Sequence, residues 1–79
     1  MAKLRIGIAG AGHFGRFHAL KVAANGRAEL AGLFDPRTER AQAIGREAGG
    51  APALPLGALL ERSDALIIAA PAEAHYELA

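Results

Sequence analysis

Gly10, Gly12 and Gly15 stand in the pattern Gly-x-Gly-x-x-Gly, directly after the apolar run Leu4-Arg5-Ile6-Gly7-Ile8-Ala9 and directly before a helically patterned segment. A strand, a tight turn and a helix start, in that order, suit a dinucleotide pyrophosphate. Gly10 lets the chain turn sharply off the strand. Gly12 lets backbone come against phosphates where a side chain would collide, and Gly15 lets the new helix lie close on the strand. The free N–H groups and the positive dipole end of that helix would face the anion. His13 and Phe14 sit at this mouth and offer it their backbone N–H groups. Phe14 is expected to belong to the core, and His13 is divided between lining the cofactor and solvent. With glycine at 10 of 79 positions, the bare pattern arises by chance roughly 0.15 times in such a chain. The flanking strand and the acidic residue downstream therefore carry the assignment.

That acidic residue is Asp35, 25 positions after Gly10 and at the end of the next apolar run. The spacing suits a carboxylate that accepts hydrogen bonds from the adenosine ribose hydroxyls. Asp followed by Pro also opens helices, so Asp35 has an alternative role as an N-cap. A carboxylate here repels a 2′-phosphate and favours NAD. Arg37 and Arg40 keep NADP as the second choice, since either could bind that phosphate; as solvated helix charges they need no function. Ala70 and Pro71 lie at the end of a later strand, beside the switch point of such a sheet, where small or rigid residues admit a cofactor.

Other chemistries find little support. The chain has no cysteine, which excludes disulfides, thiolate catalysis and Cys-based zinc sites. Ser63 is the one serine and lies at the wrong end of its strand for a nucleophilic set. His75 has no partner at metal-ligand spacing. No catalytic residue and no metal ligand is assigned.

The elements that would position these residues follow from periodicity. Strands are expected at Lys3–Ala9, with Leu4, Ile6 and Ile8 inward, and at Ala28–Phe34. A helix at about His13–Ala24 would set Phe14, Phe17, Leu20 and Ala24 near one face, and Asn25-Gly26 would close it with glycine in the left-handed conformation. A second helix is expected from Pro36 to about Ala48, with Ala41, Ile44 and Ala48 buried and Gly49-Gly50 as its stop. Ala51–Leu54 reads as a short strand weakened by Pro52 and Pro55. Leu56–Glu61 reads as one or two helical turns with Leu56, Leu59 and Leu60 inward. Asp64–Ala70 is the clearest buried strand, and a last helix begins near Glu73.

The fold class is thus α/β: a partial doubly wound Rossmann fold with parallel sheet order 3-2-1-4, truncated before the fifth strand. Seventy-nine residues are expected to make one domain, 1–79, and from the open fourth strand and uncapped last helix an amino-terminal piece of a longer enzyme is expected. Nine basic and eight acidic residues are interspersed, so neither a nucleic-acid nor a membrane surface is indicated. No segment reaches the roughly 20 apolar residues of a membrane span, and the opening residues do not form a secretory signal. A cytoplasmic protein is expected.

Three stretches together resemble the Gfo/Idh/MocA oxidoreductase family, whose members include glucose–fructose oxidoreductase, inositol dehydrogenase and many sugar dehydrogenases. They are Gly10-Ala11-Gly12-His13-Phe14-Gly15-Arg16-Phe17-His18, Leu30-Ala31-Gly32-Leu33-Phe34-Asp35 and Ala69-Ala70-Pro71-Ala72-Glu73-Ala74-His75. The His three residues after the third glycine and the Pro-x-x-x-His are the most specific. The resemblance implies a nicotinamide-binding Rossmann domain ahead of a larger substrate domain, with a catalytic Lys in a Glu-Lys-Pro motif and a catalytic His. Both of those would lie past Ala79. It places His75 near the nicotinamide end of the site, while His18 reads better as packing. What it implies for function is the NAD(P)-binding portion of an enzyme that moves hydride between a nicotinamide and a sugar or polyol hydroxyl. Two alternatives stand beside this reading. One is a stand-alone, non-catalytic module that binds nucleotide or self-assembles, two copies forming a homo-oligomer by pairing their open strands. The other is the opening of a homoserine or dihydrodipicolinate-reductase type of Rossmann enzyme.

Overall fold

Alternation of apolar and small residues in the first run produces β1 (Leu4–Ala9), which pairs in parallel with β2 (Ala28–Phe34) and β3 (Ala65–Ile68) in the order β2-β1-β3. The computed structural model describes residues 3–69. The intervening segments form α1 (His13–Ala24), α2 (Thr38–Glu47) and α3 (Leu56–Arg62). Parallel neighbours need crossovers, and α1 supplies the one between β1 and β2.

Register decides what each face buries. Ile8 sits opposite Leu33 and Ile67, whereas Gly7 sits opposite Gly32 and Leu66. On the first face Ile8 and Leu33, both fully buried, join Ala19 and Val22 of α1 and Ala41, Ile44 and Ala48. The glycines belong to the other face, under α3. A Cβ on Gly7 would come 2.8 Å from Leu59 Cδ1, and one on Gly32 3.3 Å from the same atom. Two paired bare positions thus make a slot, and Leu59 fills it with no exposed surface. The β1–β2 register shifts between Ile6 and Gly7, which keeps both apolar faces aligned past an extra residue in β2.

Several expectations need correction. The short strand at Ala51–Leu54 is a single parallel bridge, Leu33 to Ala53. It does lie on the outer edge of β2, since the Leu33 amide donates to the Pro52 carbonyl at 2.9 Å and the Leu54 amide to the Leu33 carbonyl at 2.8 Å. Pro52 and Pro55 have no N–H to extend the ladder. The order 3-2-1-4 therefore survives as a three-stranded sheet with one bridge in the outer place. The last strand begins at Ala65 rather than Asp64, which is drawn into a reciprocal pair with Arg5, and is described as far as Ile68; its expected end at Ala70 lies outside the described residues. It is half-buried, having β1 on one side alone among the described residues.

Helix faces also differ. α1 buries Gly15, Ala19 and Val22, and leaves Phe14 68% and Phe17 52% exposed. A helix held this close to its strand has room for small residues at the contact, so the aromatic stripe turns outward. There the Phe17 ring meets His18 edge-on at 5.6 Å, with Lys21 Nζ 5.3 Å from its centre. Leu60 and Leu4 are likewise about half exposed, 52% and 50%. Gly26 does not close α1 in the left-handed region; among the described residues, positive φ occurs at Gly10, Gly49 and Gly50. Asn25 ends the helix instead, its Oδ1 accepting from the Arg27 amide at 2.8 Å. Gly49 and Gly50, at φ +90° and +91°, do close α2 as expected, and the Gly50 amide donates to the Gly45 carbonyl.

Candidate functional site

The chain leaves β1 through Gly10, whose φ of +112° is a conformation that L side chains rarely adopt. Its amide donates to the Phe34 carbonyl at 2.7 Å, so the turn folds back on the carboxyl end of β2. α1 then begins at His13, capped by the backbone of Gly12 with no side-chain hydrogen bond and no acidic residue in its first turn. The first intrahelical acceptor is the Gly12 carbonyl, which takes the Arg16 amide at 2.9 Å. By helix geometry the amides of Gly12 through Gly15 have no partner within the helix, and the dipole leaves this end positive.

The glycines divide by role. A Cβ on Gly15 would collide with the Gly10 carbonyl, 2.7 Å from its carbon and nearer to its oxygen. Gly15 is thus required by the protein's own packing. A Cβ on Gly12 would meet nothing within 4 Å, and its φ of −81° suits any residue. No packing demand explains glycine there, and an approaching ligand would. The chemistry of this mouth suits an anion: amides without helical partners, a positive helix end and open space beside Gly12 coincide.

Asp35 closes one side of the mouth. It is half-buried, with Oδ2 accepting from the Ala11 amide at 2.7 Å and Oδ1 from the Arg37 amide at 2.8 Å. The second bond holds residues 35–37 outside the helix, so α2 starts at Thr38 with Arg37 as N-cap, two residues after the expected Pro36. Asp35 is accordingly not the N-cap of α2. Beside it a cleft of about 270 Å³ is lined by Phe34, Asp35, Thr38, Ala41, Ala53, Leu54 and Pro55. Its walls are mostly apolar, as a purine would need. A larger cleft, about 620 Å³, lies at the opposite, amino-terminal edge of the sheet around Lys3, Glu29 and Arg62, away from the glycine turn. Parallel sheets bind ligands at the carboxyl edge, so size does not locate the site here.

The structure brings Gly10, Gly12, His13, Phe14, Gly15 and Asp35 to one edge of the sheet, with Arg37 two residues after Asp35 and Arg40 one helical turn on. His13 is exposed and meets Phe14 edge-on at 6.1 Å. Phe14 is at the mouth and not in the core, contrary to expectation. Arg37 and Arg40 are exposed and form no ion pair among the described residues. Ala70, Pro71 and His75 lie outside the described residues. Sequence reasoning missed Ala11 and Phe34, which act through backbone amide and carbonyl; a main-chain contact leaves no residue-type signal.

The two ion pairs among the described residues belong to the scaffold. Arg16 on α1 grips Glu47 on α2, with Nε 3.0 Å from Oε1, and its hydrogen bond holds the Glu47 carboxyl below the usual range. Arg5 does the same to Asp64, at 3.1 Å from Nη2 to Oδ1. Among the described residues there is no cluster of potential metal ligands and no helix long and apolar enough to cross a membrane.

Residues 4–79 match the family model described as GFO_IDH_MocA, oxidoreductase family, NAD-binding Rossmann fold. The chain is 40% identical over 79 residues to UDP-N-acetylglucosamine 3-dehydrogenase of Acidithiobacillus ferrooxidans, covering 100% of this chain and 25% of that protein. A solved structure of that enzyme superposes with a TM-score of 0.86 over 99% of this chain and 25% of the other. Glucose-6-phosphate 3-dehydrogenase of Bacillus subtilis is 35% identical over 73 residues, 92% of this chain and 21% of that one. A 3-ketoreductase from Actinomadura kijaniata, solved with TDP-benzene and NADP, is 30% identical with a TM-score of 0.80, over 96% of this chain and 25% of that chain. The chain therefore spans about a quarter of the length of the relatives it matches.

Proposed function

We propose, for a chain that belongs to the GFO_IDH_MocA oxidoreductase family with its NAD-binding Rossmann fold, that it seats NAD for hydride exchange with a sugar or polyol hydroxyl. The backbone of Gly10–Gly15, with His13 and Phe14 at the helix start, receives the pyrophosphate. Asp35 accepts the adenosine ribose hydroxyls, and the cleft beside Thr38 and Leu54 takes the adenine. Bound nicotinamide would supply the hydride acceptor or donor. The residues described here bind and orient; they do not carry out the proton transfer.

The observation that carries this reading is the contrast at the turn. Gly15 is bare because the Gly10 carbonyl leaves no room, whereas Gly12 is bare beside open space. The carboxylate of Asp35 would repel a 2′-phosphate, which favours NAD over NADP. Arg37 and Arg40 offer the contrary attraction, and the ratio of the two affinities measures which prevails. In this reading Ala70, Pro71 and His75 continue the site toward the nicotinamide.

Titration with NADH and NADPH, followed by nicotinamide fluorescence, tests the proposal against Gly12→Val. Saturable binding that disappears in the variant, with its circular dichroism unchanged, is the expected outcome. Equal titration curves for parent and variant would refute it.

A further inference from the structure

We infer that Asp35 is a positioning residue for the glycine turn, holding it in its anion-receiving shape before any ligand arrives. This rests on the dinucleotide reading and adds to it. Three hydrogen bonds gather at the carboxyl end of β2. The Gly10 amide donates to the Phe34 carbonyl at 2.7 Å, the Ala11 amide to Asp35 Oδ2 at 2.7 Å, and the Arg37 amide to Asp35 Oδ1 at 2.8 Å. Two successive amides of the turn are thereby tied to Phe34, the last residue of β2, and to Asp35 just after it, across 24 positions of sequence. The same carboxylate ties down the entry to α2.

The Ala11 bond is the informative one. Ala11 is 4% exposed, so water is poorly placed to replace a lost carboxylate, and its amide would be left unsatisfied. Pinning Ala11 also fixes the peptide plane that leads into Gly12, and with it the direction of the free amides beyond. A carboxylate suits this work because it is an acceptor at both oxygens, with about four lone-pair sites. Two are occupied by backbone, which leaves two for a diol. Asparagine would turn its NH₂ toward one of the two amides and keep one bond at most.

A role confined to the ribose makes a different prediction from a role in shaping the turn. ADP and 2′,3′-dideoxy-ADP are titrated against the parent chain, Asp35→Ala and Asp35→Asn by calorimetry, as a double-mutant cycle. Hydrogen exchange of the Ala11 amide is followed by NMR without ligand. The expected results are about five- to tenfold weaker dideoxy-ADP binding in both variants, and Ala11 exchange about tenfold faster, the scale of one lost hydrogen bond. The amides of Ile8 and Ala9 should stay protected. Unchanged dideoxy-ADP affinity, or unchanged Ala11 exchange, overturns the inference. If the parent bound no ADP, the dinucleotide reading would fall, while the exchange measurement would still decide what Asp35 does to the turn.

Discussion

Replacing Gly12 and Gly15 separately by alanine should divide folding from binding. At Gly15 the new methyl falls on the backbone carbonyl of Gly10, 2.7 Å from its carbon. Neither that carbonyl nor α1 can swing aside as a side chain would. Alanine gains about 1 kcal/mol of helix propensity over glycine, but overpacking typically costs 1–3 kcal/mol, and backbone contact belongs at the upper end. A net loss of about 1–2 kcal/mol follows, which for a domain of this size lowers Tm by roughly 5–15 °C. At Gly12 the methyl enters open space at an ordinary φ. The cost there is the poorer capping of alanine, about 0.5–1 kcal/mol, or at most about 8 °C. Binding should respond in the opposite sense. The Gly12 methyl pushes the diphosphate off the helix mouth, and losing one or two charge-assisted hydrogen bonds weakens NADH by roughly 10- to 1,000-fold. Thermal melts by circular dichroism and NADH calorimetry on both variants decide the matter. An unaltered melt for Gly15→Ala would refute the close approach, and an unaltered affinity for Gly12→Ala would refute the seat of the phosphates.

Asp35→Ala should weaken NADH more than NADPH, because it removes both the diol acceptor and the charge that repels a 2′-phosphate; equal losses in parallel titrations would remove the ribose role. Leu59→Ala should cost about 2–5 kcal/mol, since Leu59 is fully buried over Gly7 and Gly32, beside Ser63 and Leu54, and a urea midpoint that hardly moves would contradict that packing. Glu47 and Asp64 are held below their ordinary values of 4.5 and 3.8 by hydrogen bonds from Arg16 and Arg5. A depressed carboxyl stabilises fully above its unfolded value, and that share is lost as pH falls through the folded one. Urea midpoints should therefore decline below about pH 4.5, and Arg16→Gln with Arg5→Gln should flatten that decline; identical acid limbs would show that the pairs contribute nothing. Gly50→Ala should destabilise by about 1–2 kcal/mol for a left-handed residue that gains a side chain, read from the same denaturation curves.

The order of elements was legible because local signals agreed. An apolar run, a glycine turn and a helical pattern placed β1 and α1, and the bounds His13–Ala24 and Ala28–Phe34 were as expected. The buried stripe Ala41, Ile44 and Ala48 also followed from spacing, as did the close at Gly49 and Gly50. These depend on neighbours within a few residues, and periodicity records them.

Long-range contact settled the rest. Hydropathy put Phe14 and Phe17 inside, yet the tight seat of Gly15 on Gly10 gives the inner face of α1 to small residues. No local pattern foretold that Gly7 and Gly32 would meet across two strands and admit Leu59, or that Asp35 would bind the Ala11 amide 24 residues away. Residue types carry the chemistry that a chain can offer; which main-chain groups are left free to use it depends on register and approach, and those exist only once distant segments have packed.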